Sequence, residues 1–558
     1  MIRKDPALCI LITAFTVIYA VRMFRNHPWY DELYTYYSFI SKGPVYAAIH
    51  WPLPNNHLGY SALSGFLNYL GNPTIALRGV SFLCAVANLI LIAKISDRLI
   101  SGAGSICAAL CAANFLVHGL SVQGRGYTLA TTCYLTALLS LLTIIKKQED
   151  DRGLIEGATK KNRSGFRKHT PYILFAISLP LGLYTVMSST YWVVSVCVFG
   201  GIFLLCNLEF KKLRKLILSA ATGAIFTLIL YGTVWLAIGS NLLSKEEGSG
   251  FTGIYQLSII KAAPFAALRR GAEYMLATPY IQSIDRKEAF TGMPAYLKGL
   301  FDQFYPHGGI VVILILLAAL ILGGFAFFKD RRDIAGCYFL CTIPLLPILF
   351  LIQSVHPYLR VSSWFGAPAA LAAVYVVLRI AGFSRKKRSG KAGSDIGNLK
   401  EKTKGSETDG TPHWYRFRKW LMPLVVLASV LVVLTPAYRA PLAGRENGVE
   451  EALQLYYAKY DRIDSIFYTD DYQKYVIKFY HGEEPEEKVP GEAKLMLLPE
   501  ELSMPDPGAG NDLQADDGEA APGWPVLYGR ADLDYETIGD RYELLGTAGS
   551  YEVFLKRE

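Results

Sequence analysis

The sequence predicts an α-helical polytopic membrane protein of about eleven transmembrane helices, with outer-face juxtamembrane helices and a small C-terminal α/β soluble domain. Two observations indicate this class. Of the 558 residues, 52% are hydrophobic, and the mean hydropathy of +0.26 is unlike that of a soluble protein. Apolar runs of about 15 to 23 residues alternate with short charged segments, and about 20 apolar residues suffice for a helix to cross a bilayer.

Lys and Arg concentrate in alternate loops between these runs, and the positive-inside rule assigns such loops to the cytoplasm. The N-terminus is therefore predicted to be cytoplasmic and the C-terminal domain extracytoplasmic, in a multi-pass protein of the plasma or inner membrane. The predicted spans are Ala7–Val21, Ile75–Ala93, Leu99–Val117, Tyr127–Ile145, Tyr172–Val186, Trp192–Cys206, Leu216–Ile238, Gly309–Phe328, Ile334–Ile352, Val361–Ile380 and Trp420–Pro436.

Two domains are predicted. Residues 1–437 form the transmembrane domain, with outer loops at 25–72 and 239–308 and a cytoplasmic linker at 384–411 that is rich in Lys, Gly and Ser. Residues 438–558 form an extracytoplasmic α/β domain with 26 Asp and Glu against 12 Lys and Arg, so the net charge of +9 combines an acidic tail with a basic remainder. The basic residues suit loops beside anionic lipid headgroups, and no nucleic-acid partner is predicted.

The tail shows the periodicities of a small α/β domain. Between its elements, Glu500–Gly523 is rich in Pro, Gly and Asp and is predicted to be a mobile insert. The domain's role stays open: it presents an acceptor, covers a cavity or stabilises the outer face. Its predicted helices begin at Val449 and cover Tyr472–Tyr480, and its predicted strands are Ile463–Tyr468, Lys494–Leu498, Val526–Tyr528 and Tyr551–Leu555.

The first outer loop carries two adjacent carboxylates, Asp31 and Glu32, directly after the first apolar run. The residues that follow, from Leu33 to Ile40, predict a short helix with an aromatic face suited to the membrane interface. An acidic residue at a helix start is commonly an N-cap, which stabilises the helix without any chemistry. Capping does not exclude a catalytic role, because a capping carboxylate is held rigidly.

Four short motifs follow one another in the first 145 residues: Asp31-Glu32, Pro54-Asn55-Asn56-His57, Ala76-Leu77-Arg78 and Arg125-Gly126-Tyr127. Their order resembles the bacterial branch of the GT-C type membrane glycosyltransferases, related to the protein O-mannosyltransferases and the lipid A aminoarabinose transferase. That family often has Arg-Tyr before a late span, where this chain has His356-Pro-Tyr358-Leu-Arg360. The resemblance implies a GT-C fold and an enzyme that moves a sugar from a polyprenyl-phosphate carrier to an acceptor outside the membrane.

By this resemblance, Asp31 is the catalytic base of a single displacement that inverts the anomeric carbon, and Glu32 orients Asp31 or the acceptor. Such a base takes the proton of the attacking hydroxyl, while a phosphate leaving group needs cations and hydrogen-bond donors rather than a general acid. The candidate residues for binding the donor phosphate are Arg125, Arg360, Tyr127 and Tyr358. For the two arginines, the alternative to phosphate binding is snorkelling to the lipid headgroups.

Arg78 lies inside an apolar run, where a charge is costly and usually has an internal partner, here expected to be Asp31 or Glu32. A metal held by this acidic pair and nearby histidines is an alternative, but no characteristic ligand spacing supports it, so no cofactor is predicted. Three further residues are expected to line the acceptor or sugar site, with loop capping as the equal alternative: Asn55, Asn56 and His57.

Other functions stay open at this stage. The long outer loop, with Arg269-Arg270 and many aromatic residues, suits either closure over a lipid-linked donor or interfacial anchoring. An oligosaccharyltransferase or O-antigen-ligase-like enzyme would use a preassembled lipid-linked glycan, a transporter would bury polar residues at mid-membrane, and a scaffold would need no chemistry. The predicted partners are a polyprenyl-phosphate sugar donor, membrane lipids and a glycan, lipid or protein acceptor.

Overall fold

The computed structural model describes residues 5–51, 55–152, 165–243, 254–277, 283–380, 413–439, 448–469, 471–499, 539–548 and 551–557. Most of these residues are helical. The helices are α1 (Pro6–Arg25), α2 (Tyr30–Ser38), α3 (Pro44–Ile49), α4 (Leu58–Leu67), α5 (Pro73–Leu99), α6 (Gly104–Ala112), α7 (Phe115–Leu120), α8 (Tyr127–Arg152), α9 (Gly165–Thr185), α10 (Thr190–Cys206), α11 (Phe210–Leu243), α12 (Ile254–Ala262), α13 (Pro264–Ala277), α14 (Arg286–Asp302), α15 (Gly309–Lys329), α16 (Ile334–Gln353), α17 (Gly366–Ile380), α18 (His413–Val433), α19 (Pro436–Arg439), α20 (Val449–Tyr457) and α21 (Asp471–His481). The strands are β1 (Ser465–Phe467), β2 (Glu486–Glu487), β3 (Leu495–Pro499), β4 (Tyr542–Ala548) and β5 (Tyr551–Lys556).

The prediction of a polytopic helical membrane protein is confirmed. Within the described ranges, eight helical segments are long and apolar enough to cross a membrane. Two further predicted spans, Tyr172–Val186 and Trp420–Pro436, overlap with α9 and α18. The eight segments are Pro6–Arg25, Pro73–Leu99, Tyr127–Lys146, Met187–Cys206, Phe210–Leu243, Gly309–Lys329, Ile334–Gln353 and Leu359–Ile380.

The predicted span Leu99–Val117 is wrong as a single helix. The chain forms α6 and α7 there, and α7 starts at an N-cap, because Asn114 Oδ1 accepts a hydrogen bond from the Val117 N–H at 3.0 Å. One capping side chain is enough to begin a new helix inside an apolar run. Hydropathy averaged over the run did not reveal this break.

Close helix contacts in the transmembrane part use small residues. A Cβ added to Gly336 of α16 would overlap the carbonyl oxygen of Gly323 on α15, so these two backbones touch. The opposite face of α15 exposes large apolar side chains, including Ile321 and Phe325. Small residues at helix contacts and apolar side chains on the outer face are the arrangement that a lipid environment favours.

The chain divides into two compact units. The first unit comprises residues 1–23, 48–60 and 80–440, and the second comprises 24–47, 61–79 and 441–558. In this division, much of the first outer loop groups with the C-terminal domain. The physical reason is apolar burial, since Leu33 is completely buried among apolar side chains of that domain such as Leu453 and Val476.

Among its described residues, the second unit contains a five-stranded sheet in the order β2-β1-β3-β5-β4. β1 pairs in parallel with β2 and β3, while β5 pairs antiparallel with β3 and β4. The predicted α/β tail is confirmed, with both helices and three of the predicted strands in place. Two strands were not predicted from the sequence: β2 has two residues, and β4 contains a Gly and a register shift that hide its alternation. The predicted strand Val526–Tyr528, the insert Glu500–Gly523 and the linker 384–411 lie outside the described residues.

The aromatic face of α2 packs on protein in the second unit. The ring of Tyr37 stacks on Tyr475 of α21 with centroids 5.5 Å apart and an angle of 11° between the planes. Tyr30 meets Tyr472 edge to face at 6.3 Å. We expected this face to lie in the membrane interface, but its rings are used to fix α2 on the C-terminal domain.

Candidate functional site

The two carboxylates of the first loop differ in their surroundings. Glu32 is buried in the first turn of α2, and its Oε2 accepts the backbone N–H of Trp29 at 3.0 Å. This contact is one half of a capping box and closes the helix start. Asp31, next to it, is half-buried, and its carbonyl oxygen accepts a hydrogen bond from Thr35 Oγ1 at 2.6 Å. The capping function therefore belongs to Glu32.

Arg78 is the ionic partner of Glu32. Its Nε donates to Oε1 at 2.8 Å and its Nη2 to Oε2 at 3.0 Å. The same guanidinium donates to the carbonyl oxygens of Asn26 and His27. Both side chains are almost completely buried, so the pair is held by a bidentate, water-excluded contact. Glu32 and Arg78 thus fix the chain segment that leads into Asp31.

The motif Ala76-Leu77-Arg78 also has a packing role. Ala76 and Leu77 are buried against Ile40, with Tyr36 and Phe479 alongside. The first turns of α5 are thereby anchored by apolar contacts, which place Arg78 for its ion pair. All of these residues belong to the second unit.

The motif Arg125-Gly126-Tyr127 meets the Asn-Asn-His loop in the first unit. Arg125 Nη1 donates to Asn55 Oδ1, and Arg125 Nη2 lies 3.3 Å from His57 Nε2. The Gly126 N–H donates to His57 Nδ1 at 2.7 Å. Only glycine fits at position 126, because an added Cβ would lie 2.6 Å from Thr185 Cγ2 and 3.1 Å from the His57 side chain. The glycine of this motif is therefore explained by the close approach of Thr185 and His57.

The protonation of His57 follows from these contacts. Burial, together with the positive charges of Arg125 and Arg360, holds the pKa of His57 well below its usual range, so the ring is neutral. Because Nδ1 accepts the Gly126 N–H, the single ring proton is assigned to Nε2. His57 Nε2–H and Arg125 Nη2–H are then two donors side by side, an arrangement that an anionic oxygen can bridge.

Arg360 joins the same group of side chains. Its Nε donates to Tyr127 Oη at 3.0 Å, and the Tyr127 ring meets His57 edge to face at 4.9 Å. We call His57, Arg125, Tyr127 and Arg360 the cation cluster. The exposed Tyr358 lies with its ring 4.6 Å from the guanidinium carbon of Arg360. Tyr358, expected as a hydroxyl donor to phosphate, thus contacts Arg360 through its ring.

Asn56 performs a local structural task. Its Nδ2 donates to the carbonyl oxygen of His50 at 2.6 Å, and the side chain is buried. The contact closes the loop before α4. Of the two expected alternatives for Asn56, lining a site or capping a loop, this geometry is that of a loop closure, while Asn55 reaches Arg125.

The structure therefore gathers the expected residues into two groups. Glu32 pairs with Arg78 beside Asp31 in the second unit. Asn55 joins the cation cluster in the first unit. Within the described residues, no group of three or more His, Cys, Asp and Glu side chains is arranged to hold a metal ion.

Two tyrosines that were not predicted from the sequence hold the segment before α2. Tyr472 Oη donates to the Pro28 carbonyl oxygen at 3.0 Å, and Tyr480 Oη lies 2.8 Å from His27 Nδ1. Both tyrosines come from α21, more than 400 residues further along the chain. No local pattern in the sequence signals a contact over such a separation.

Comparisons with known proteins give structural likeness at low sequence identity. No protein-family model matches the sequence, and no curated protein matches it significantly. The chain is similar to the archaeal oligosaccharyltransferase AglB from Archaeoglobus fulgidus in complex with an inhibitory peptide and a dolichol-phosphate, with TM-score 0.46 and 13% identity over 90% of this chain and 70% of that chain. The chain is also similar to the A. fulgidus oligosaccharyltransferase tethered with an acceptor peptide, with TM-score 0.44 and 12% identity over 90% of this chain and 70% of that chain. At these TM-scores and identities the likeness carries no conclusion about activity.

Proposed function

We propose that this protein is a GT-C type membrane glycosyltransferase that transfers a sugar from a polyprenyl-phosphate donor to an acceptor on the extracytoplasmic face. The observation that carries the proposal is the cation cluster, in which the buried Arg125 and the neutral His57 place two donors 3.3 Å apart. Two adjacent N–H donors, one of them cationic, suit a single anionic oxygen. A phosphate oxygen carries negative charge and accepts both hydrogen bonds.

The chemistry of the leaving group fits this cluster. When the sugar leaves, negative charge develops on the carrier phosphate, and fixed cations and N–H donors stabilise it without proton transfer. Arg125 and Arg360 provide the positive charge, and Asn55 and Tyr127 hold the two guanidinium groups in place. His57, kept neutral, adds a directed N–H donor and no further charge.

The acceptor side needs a carboxylate that takes the hydroxyl proton as the new bond forms. We assign this role to Asp31, which is half-buried, and an orienting role to Glu32, whose two oxygens are engaged by Arg78 and Trp29. The reaction is a single displacement: the acceptor oxygen bonds to the anomeric carbon, the bond from that carbon to the phosphate oxygen breaks, and the configuration inverts. The proton ends on Asp31 and the electron pair on the phosphate.

The decisive experiment offers the purified full-length protein a panel of polyprenyl-phosphate monosaccharides and follows donor consumption by mass spectrometry. Consumption of one donor supports the proposal. A lipid-linked oligosaccharide in the same assay tests the oligosaccharyltransferase-like or ligase-like alternative. Folded protein that consumes none of these donors would contradict both enzymatic functions and favour a transporter or scaffold.

A matched pair of arginine variants tests the phosphate-binding residues. Arg125→Leu should weaken binding of sugar-free polyprenyl phosphate at least tenfold, because a charge-assisted hydrogen bond to phosphate is lost. Arg332→Leu removes an exposed arginine in a short turn and should leave binding unchanged. Equal affinities for the two variants would remove Arg125 from the proposed site.

A further inference from the structure

A cavity of about 150 Å³ lies in the first unit, apart from the residues of the cation cluster. His50 and Trp51, in the loop before α4, line one part of it. Ile238 and Asn241, near the end of α11, line another, and Tyr274 of α13 also lines it. The remaining lining residues are apolar: Ile49, Ala237 and Leu242. None of the expected site residues lines this cavity, so the proposed function has not yet accounted for it.

The cavity has rigid walls. α11 and α13 pack backbone against backbone, since a Cβ added to Gly239 would overlap the Ala267 carbonyl and one added to Gly271 would overlap the Trp235 carbonyl. On the other side, Trp51 is buried in an apolar cluster that includes Leu58 and Tyr231. These contacts hold α11, α13 and Trp51, which line the cavity, in place.

The lining combines aromatic, apolar and hydrogen-bonding groups. Trp51 and Tyr274 offer aromatic surface, while His50 and Asn241 offer polar side chains. A volume of about 150 Å³ accommodates one six-membered ring. A sugar ring matches this lining, because its C–H faces suit aromatic side chains and its hydroxyl groups suit an amide and an imidazole.

Two adjacent asparagines connect the cavity lining with the cation cluster. Asn56 Nδ2 donates at 2.6 Å to the carbonyl oxygen of His50, a residue of the cavity lining. Asn55 Oδ1 accepts from Arg125 of the cluster. A donor with its phosphate in the cluster and its sugar ring in the cavity would span this pair of residues.

We propose that this cavity binds the sugar ring of the polyprenyl-phosphate donor, with Asn241 as a hydrogen-bonding residue and Tyr274 as an aromatic contact. The inference rests on the proposed function and adds to it a site for the transferred monosaccharide. It also assigns sugar specificity to α11 and α13, outside the four sequence motifs.

The test compares two ligands on the full-length protein: the donor that the wild type consumes in the monosaccharide panel, and the same polyprenyl phosphate without sugar. Asn241→Leu keeps the number and branching of the non-hydrogen side-chain atoms and removes the hydrogen-bonding groups of the amide. It should weaken binding of the sugar-bearing donor about fivefold to tenfold and leave the sugar-free carrier within twofold. Tyr274→Leu should act in the same direction. Leu243→Ala, on the same helix and outside the cavity lining, is the control and should change neither affinity.

The outcomes separate the two proposals. If the wild-type protein neither binds nor consumes any donor, the proposed function is wrong, and the sugar site is wrong with it. If the wild type is active but both variants keep normal affinity for the donor, only the sugar site is overturned. If the variants weaken binding of the donor and binding of the sugar-free carrier equally, the cavity holds part of the lipid and the inference is wrong. Thermal unfolding of each variant verifies that it is folded.

Discussion

Arg78 donates to both carboxylate oxygens of Glu32, at 2.8 and 3.0 Å, in an ion pair whose side chains are only 4% and 3% exposed. The pair also holds the backbone of Asn26, His27 and Trp29. It therefore fixes the turn that carries Asp31 and explains two charged residues of the sequence motifs by structure. The chemistry assigned to Asp31 depends on this support.

Breaking this ion pair should destabilise the protein strongly. Arg78→Met leaves a buried carboxylate without its cation and should lower the free energy of unfolding by about 3 to 5 kcal/mol. Denaturant unfolding of the purified protein measures the change. The control is Lys298→Met, which breaks the exposed pair of Lys298 with Asp302 and should have little effect. Equal loss of stability in the two variants would contradict the structural role of Arg78.

Asp31→Asn should abolish most activity without unfolding the protein. Loss of a general base costs about 10²-fold to 10⁴-fold in rate. Because Asp31 is half-buried, Asn should be accommodated with a nearly unchanged melting temperature. Glu32→Gln, by contrast, should lower the melting temperature as well as the rate, since it weakens a buried ion pair. Normal product formation by a well-folded Asp31→Asn protein would exclude Asp31 as the base.

The burial of His57 predicts that the folded protein loses stability in acid. Its pKa in the folded protein is well below the ordinary value of 6.5, so the unfolded chain binds the proton more readily. The stability from neutral His57 is fully present above pH 6.5 and is lost as the pH falls from there toward the lower folded pKa, by up to about 1.4 kcal/mol per pH unit.

Unfolding measured between pH 7.5 and about pH 5 tests this dependence. His57→Gln should flatten the loss of stability on the acid side. His307→Asn replaces an exposed histidine, in a left-handed conformation that Asn tolerates, and should leave the slope unchanged. Identical pH profiles for wild type and His57→Gln would show that His57 does not control the acid limit.

The contact of α11 with α13 should tolerate no side chain at Gly239. Gly239→Ala places a methyl group into the Ala267 backbone, forces the helices apart and should cost about 1 to 3 kcal/mol. Gly232→Ala, two turns earlier on α11, meets nothing within 4 Å and serves as the control. Melting temperatures of the two variants give the comparison, and a Gly239→Ala protein as stable as the control would refute this packing.

The sequence was most informative where the signal is local. Apolar runs predicted the spanning helices, and the α/β periodicity of the tail predicted α20, α21 and three strands, since each such element depends on neighbouring residues. Prediction from the sequence failed where a single residue decides the local structure, as at Asn114, which starts α7 inside an apolar run. It also failed at β4, whose register shift hides the alternation of its side chains.

By itself, the sequence determined the helical membrane class, the α/β tail and the candidate residues Asp31, Glu32, Arg78 and Arg125. Only the tertiary structure decided which carboxylate pairs with Arg78, because Asp31 and Glu32 are adjacent and a one-residue difference on α2 turns a side chain by about 100°. It also decided that the aromatic face of α2 packs on α21, through Tyr37 and Tyr475. Contacts between residues hundreds of positions apart depend on the packing of whole elements, which no local pattern records.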